Sequence, residues 1–233
     1  MDHEFEIKMT INRHLTDRFF NHYKEKLTKM GYTLQSVSEQ FIRDRYFDTE
    51  TNSLFNLGYY FRIRTRSEQP NKIITFRAFE ATGARLTLWS DKNEPLTKKS
   101  LRETLIDFTK KLKLETPPGI SYELMEYPQI FKKFNLIYLL ELENQRKTYN
   151  ILLTSEKICK LNVDSVMYSI NNNQIPYYEI EFVFEIPDQM RELEQLIGAL
   201  SIELPEVLKT TKITKLERGL LLKSSENLSE YSF

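Results

Sequence analysis

The 233-residue chain balances 33 Lys and Arg against 33 Asp and Glu, and is 40% apolar with 15 Phe and 13 Tyr. The zero net charge lacks the basic excess of a generic nucleic-acid binder, so any polyanion bound here must meet cations gathered locally. A lone Cys159 excludes an intrachain disulfide and a cysteine-based metal site, and no apolar run reaches the roughly 18 residues of a membrane span, so a cytoplasmic protein is expected.

His3 to Ile11 alternates, with Glu4, Glu6 and Lys8 on one face and Phe5, Ile7 and Met9 on the other. Period two predicts a strand with one polar side, entered without a basic and apolar leader. Thr16 and Asp17 open a helix whose apolar positions Phe19, Phe20, Tyr23, Leu27 and Met30 keep helical spacing, and Gly31 ends it. A second strand is predicted from Gln35 to Phe47, followed by a turn over Asp48 to Ser53. Tyr59 to Arg66 alternates again, placing Arg62, Arg64 and Arg66 opposite Phe61 and Ile63. A turn around Pro70, over Glu68 to Lys72, leads into a strand from Lys72 to Phe79 with Thr75 and Arg77 on one face, a hairpin pattern.

Ala84 to Trp89 predicts a further strand, and Lys98 to Leu112 a helix. Strands return at Leu136 to Leu153, Ile158 to Tyr168 and Tyr177 to Glu185. Asp188 to Leu200, after Pro187, reads as a helix, and Pro205 to Lys223 as helical at least in part. No linker divides residues 1–223, and residues 224–233 form a polar tail. Many antiparallel strands with a few flanking helices predict one α+β domain built on a barrel, with alternate polar residues lining its lumen.

Glu4 and Glu6 put two carboxylates beside the Lys8 ammonium on one strand face; alone, that is an exposed face of mixed charge. Tyr178-Glu179-Ile180-Glu181-Phe182 repeats the arrangement near the other end of the chain. Closing a barrel makes the first and last strands neighbours, which would pool four carboxylates, with Asp164 as a fifth. Such a group needs a cation between its members, and a hard divalent ion with oxygen ligands supplies one. By repulsion alone, changing Glu6 to Gln is predicted to stabilise the metal-free protein. Against the acids stand Arg62, Arg64, Arg77, Arg146 and Lys215, and guanidinium forks suit phosphate oxygens. His3, His14 and His22 join no nucleophile pattern, Trp89 reads as a packing residue, and Tyr46 and Tyr149 are placed near a lumen mouth.

The ordered series resembles the CYTH family, the triphosphate tunnel metalloenzymes. It comprises Glu4-x-Glu6-x-Lys8, Tyr46-Phe47-Asp48-Thr49, Phe61-Arg62-Ile63-Arg64, Ile74-Thr75-Phe76-Arg77, Gln145-Arg146, Val163-Asp164, Glu179-Ile180-Glu181 and Thr214-Lys215. The resemblance implies a single-domain eight-stranded antiparallel β-barrel tunnel with flanking helices. It implies metal ligands Glu4, Glu6, Asp164, Glu179 and Glu181 for Mg²⁺ or Mn²⁺, and phosphate-holding Lys8, Arg62, Arg64, Arg77, Arg146 and Lys215. Glu4, Glu6, Lys8, Glu179 and Glu181 would form the catalytic set. Arg77 stands where the family usually carries Lys, with Lys72 as the alternative if the hairpin register slips.

The implied activity is hydrolysis of a small triphosphate (tripolyphosphate, thiamine triphosphate or a nucleoside triphosphate) to release orthophosphate. A class IV-type adenylyl cyclase and a non-catalytic polyphosphate-binding module are the alternatives. The expected partner is the small substrate, without nucleic acid or membrane, and the expected state is a monomer or homodimer.

Overall fold

The computed structural model describes residues 2–11, 16–82, 87–153, 156–170, 172–184, 193–198 and 208–224. In chain order the elements are β1 (Asp2–Ile11), α1 (Thr16–Lys29), β2 (Tyr32–Asp48), α2 (Ser53–Asn56), β3 (Tyr59–Arg66), β4 (Gln69–Thr82) and β5 (Thr87–Pro95). There follow α3 (Lys98–Leu112), α4 (Tyr127–Lys133), β6 (Ile137–Leu153), β7 (Glu156–Ile170) and β8 (Asn173–Phe184), then α5 (193–198), β9 (Leu208–Thr211) and α6 (Lys215–Ser224).

The strands follow the order β5-β4-β3-β2-β6-β7-β8-β1-β9, and each neighbouring pair is antiparallel. Asp2 to Glu6 of β1 also pair with β5, which joins the two ends of the eight longer strands into a barrel. Short β9 takes the remaining stretch of that edge, pairing with Lys8 to Ile11.

The alternation in the sequence decides which side each residue meets. Ile7, Met9 and Ile11 of β1 face outward with Ile180 and Phe182 of β8, and pack under Tyr23 and Leu27 of α1 and Leu193, Leu196 and Ile197 of α5. On the opposite wall Phe61 and Ile63 of β3 and Ile74 and Phe76 of β4 meet Leu101, Leu105 and Phe108 of α3 and Ile130 and Phe131 of α4. Each such fully buried side chain contributes about 1.5–3 kcal/mol. A third cluster lies at one end of the barrel, where Tyr46, Leu140, Leu142, Val166, Tyr168 and Tyr177 close on Leu216 and Leu222 of α6. The last helix therefore plugs the barrel, and most inward positions beyond the plug carry polar residues.

Several boundaries differ from the sequence reading. Pro70 belongs to β4 and not to the turn, which shrinks to Ser67 and Glu68. The β3–β4 register shifts between Arg64 and Arg66, an irregularity that tolerates a residue without an N–H. Strand β5 runs on to Pro95, because its later residues pair with β4 from Ile73 onward. Residues 208–211 extend the sheet beside β1 instead of continuing a helix. Helix α4, only seven residues long, is too short to show a period; Pro128 in its first turn and the Glu126–Gln129 capping box start it. Met30 is exposed rather than packed. His14, Glu185, residues 83–86, most of the 188–200 helix and residues 225–233 lie outside the described residues. Among the described residues no helix is long and apolar enough to cross a membrane.

Candidate active site in the barrel lumen

The register brings both acidic strands together. Lys8 of β1 faces Glu181 of β8 and Thr10 faces Glu179, while Asp164 of β7 faces Glu179 from the other side. On the next strand Arg146 of β6 faces Asp164. Across the lumen stand Tyr60, Arg62 and Arg64 of β3, Thr75 and Arg77 of β4, and Tyr46 of β2, with Thr214, Lys215 and Leu216 reaching in from the start of α6. The space they line, including the solvent at its mouth, is about 550 Å³.

Three ionic groups organise this space. In the first, Asp164, Glu179 and Glu181 are all buried and offer carboxylate oxygens within 4.8 Å of one another. The Lys215 ammonium lies among them, 2.9 Å from Asp164, 2.7 Å from Glu181 and in contact with Glu179. Arg146 donates to both oxygens of Asp164, at 2.7 and 2.5 Å, and to Glu181 at 2.5 Å. Burying three like charges is costly, and these two cations offset it.

Burial raises the Asp164 carboxyl, yet Arg146 and Lys215 hold it below the usual carboxylate range. Glu181 goes the other way: burial and the Asp164 and Glu6 charges push it up against the pull of Arg146. Burial, with the Arg146 and Lys8 charges, pushes the Lys215 ammonium down to about 7 despite Asp164.

In the second group Glu6 pairs with Lys8 at 3.1 Å and Arg77 at 3.5 Å. Burial alone would raise the Glu6 carboxyl, but these two charges bring it down to about 2. In the third, buried Asp44 receives two 2.7 Å hydrogen bonds from Arg64 and a 3.4 Å one from Arg62.

The lumen thus gathers Glu6, Lys8, Arg62, Arg64, Arg77, Arg146, Asp164, Glu179, Glu181 and Lys215. Glu6 shares it but is engaged by Lys8 and Arg77, and is not one of the three carboxylates that converge around Lys215. Glu4 lies in β1, two residues before Glu6, and its side chain is outside the described residues. Arg77, not Lys72, faces the lumen; Lys72 lines an outer groove with Arg43 and Tyr127. Tyr46 lines the lumen, whereas Tyr149 packs outside against the α1 cluster. His22 is exposed.

Asp44 is a lumen residue that sequence reasoning missed, as is Tyr60. The signal for Asp44 was its parity with Tyr46 two residues on.

The all-oxygen set of Asp164, Glu179 and Glu181 suits a hard divalent cation, and its need for positive charge is visible in the ammonium it surrounds. Facing it, the guanidinium rows can fork onto anionic oxygens.

A family model described as the CYTH domain matches residues 3–216. Among solved structures, a Hippeastrum protein provisionally named an adenylyl cyclase, with a dominant triphosphatase activity, is similar with a TM-score of 0.60 at 14% identity, over 96% of this chain and 98% of that one. A Bacillus halodurans protein, provisionally an adenylate cyclase, gives 0.55 at 16% identity over 94% and 98%. PH1819 from Pyrococcus horikoshii gives 0.52 at 15% identity over 95% and 99%. At such identities the likeness is one of fold. No curated protein matches the chain.

Proposed function

The chain belongs to the CYTH family, and from that premise we propose that it is a divalent-metal-dependent triphosphatase releasing orthophosphate from a small triphosphate. The observation that carries this reading is the buried Asp164, Glu179 and Glu181 group facing arginine rows in one lumen. Anion binding alone calls for the cations and leaves three buried carboxylates without a role.

In this reading Asp164, Glu179 and Glu181 would hold Mg²⁺ or Mn²⁺, with Glu4 and Glu6 completing the acidic set. When bound, the metal supplies polarisation of the phosphoryl group and neutralises charge on its oxygens. Lys8, Arg62, Arg64, Arg77, Arg146 and Lys215 hold the phosphate chain, the arginines through two-pronged hydrogen bonds. The apolar α6 plug closes one end of the lumen, and such low-dielectric surroundings strengthen ionic contacts. A water oxygen attacks the terminal phosphorus, its proton passes to a lumen carboxylate, and the bond to the bridging oxygen breaks. Charge that spreads over the transferring group meets the fixed cations, the main source of rate enhancement in phosphoryl transfer.

Tripolyphosphate or another small triphosphate is expected to turn over faster than ATP. The lumen's described rings, Tyr46 and Tyr60, sit at the plugged end beside Leu216. We expect a cytoplasmic monomer or homodimer that engages neither nucleic acid nor membrane.

The test is a panel of tripolyphosphate, thiamine triphosphate and ATP with each metal, products identified by phosphorus NMR. Orthophosphate is the expected product. Pyrophosphate with a cyclic nucleotide from ATP would make the protein a cyclase. A ligand-dependent rise in melting temperature without any product would make it a binding module.

A further inference from the structure

Arg66 continues the row that Arg62 and Arg64 begin on β3. Tyr60, at the other end of that row, packs against the α6 plug cluster, so Arg66 is the member nearest the open mouth. It is half-buried, and its Nε is shut off from solvent with no acceptor. Arg62 and Arg64 share Asp44, and Arg146 has Asp164 and Glu181; among the described residues no carboxylate pairs with Arg66. Burial and the charges of Arg64, Arg62 and Arg146 hold its guanidinium below the ordinary arginine range.

A buried donor without an acceptor, set among like charges, is a cost to the empty protein that an anion would remove. Two residues along a strand advance roughly 6.6 Å, so Arg66 carries the cation row one step beyond Arg64, towards the mouth. Its cross-strand partners are Ile42 of β2 and Gln69 of β4, neither of which offers a ring for a base to stack on. Phosphate is therefore the better match for this position than a nucleobase.

We propose that Arg66, with Arg64 and Arg146, forms an outer anion subsite that takes the next phosphate of a linear polyphosphate entering from the end opposite α6. Arg66 is then a chain-length-reading residue, and linear polyphosphates longer than tripolyphosphate are the preferred substrate class. This rests on the triphosphatase reading for turnover, but not for binding.

The experiment compares the full chain with Arg66→Gln and Arg66→Lys, using tripolyphosphate and linear tetraphosphate. Affinities come from calorimetric titration and KM and kcat from orthophosphate release. The wild type is expected to bind tetraphosphate about tenfold tighter than tripolyphosphate, about 1.4 kcal/mol. In Arg66→Gln that ratio should collapse towards one, and Arg66→Lys should recover part of it. The ligand-free melting temperature of Arg66→Gln should equal or exceed that of the wild type, because a repelling charge is gone. A wild type without chain-length preference, or an Arg66→Gln that weakens both ligands by the same factor, overturns the subsite. If the affinity ratio behaves as expected while no orthophosphate appears, the subsite stands and the hydrolase reading falls. If hydrolysis proceeds with no preference, the reverse holds.

Discussion

Arg64 donates 2.7 Å hydrogen bonds from Nε and Nη2 to the two carboxylate oxygens of Asp44, its direct cross-strand partner in the β2–β3 pairing. A side chain with many rotamers is thereby fixed before any ligand arrives, and Arg62 leans on the same carboxylate at 3.4 Å. Asp44 is buried, so the fork is both a stabilising element and the device that aims two lumen cations.

Asp44→Asn should cost about 3–5 kcal/mol, because one partner of a buried pair is removed and the guanidiniums lose their anchor. Burial raises the Asp44 carboxyl, but Arg64 and Arg62 hold it well below the carboxylate range. Its folded pKa is thus lower than the unfolded value of about 3.9. The stabilisation is full above that value and is lost as pH falls through the folded one. The gap in melting temperature between wild type and variant should be wide at neutral pH and narrow below about pH 4. A gap that stays constant through that range would mean that the Asp44 charge is not what stabilises the fork.

Glu6→Gln is expected to lower turnover by orders of magnitude while the far-ultraviolet circular dichroism stays native. Its effect on stability reverses the sign given by counting acids along the strand. Glu6 repels Glu181, but attraction outweighs this: Lys8 at 3.1 Å and Arg77 at 3.5 Å bring its pKa down to about 2 against burial. The charged form is therefore the stabilised one, and its contribution is present above about pH 4.3 and lost as pH falls towards the folded value. The metal-free variant should melt below the wild type at neutral pH. Unchanged turnover would remove Glu6 from the catalytic set.

These two cases show what the sequence could reveal. Period-two alternation made the β1, β3 and β8 strands legible, because each sets charged residues opposite apolar ones. The pooling of Glu179 and Glu181 with the first strand followed from closing a barrel. Asp44 was hidden because Asp44-Arg45-Tyr46 alternates no more clearly than an exposed strand. Its role depends on Arg64 of the next strand, and cross-strand register is not written in either segment alone. The ion pairing of Glu6 was hidden for the same reason, since Arg77 reaches it from a strand far along the chain. Short β9 and α4 carry too few residues to show any period.

Lys215→Met tests whether the ammonium occupies the charge position a metal would take. Lys215 lies among Asp164, Glu179 and Glu181, so a divalent ion must share or displace it. Without metal the variant should lose about 3–5 kcal/mol, as the three carboxylates lose the ammonium they surround and keep Arg146 and the pull of Lys8 on Glu181. With saturating Mn²⁺ it should recover more melting temperature than the wild type does, and bind the ion about tenfold tighter, about 1.4 kcal/mol. Turnover should nevertheless fall, because a phosphate-holding cation is gone. Equal metal-induced shifts in both proteins would show that ion and ammonium use different positions.

Gly219→Ala tests the coupling of the plug to the site. A Cβ at Gly219 would lie 2.6 Å from Leu140 Cδ2 and 3.2 Å from Tyr168 Cε1, both in the cluster that seats α6. The first separation is too short to survive, and Leu140 is itself buried, so the helix must shift or the cluster must repack. Overpacking of this kind costs about 1–3 kcal/mol. The hydroxyl of Tyr168 also donates to the Lys215 carbonyl at 3.0 Å, so displacing α6 moves the residue that stands among the three carboxylates. A misplacement of about 1 Å in such a site can cost a hundredfold in rate, and kcat with tripolyphosphate should fall by ten- to a hundredfold, roughly. Leu221→Ala, on the exposed side of the same helix, serves as the control and should leave turnover unchanged. Wild-type kcat and melting temperature in Gly219→Ala would show that α6 closes the barrel without fixing the geometry of the lumen.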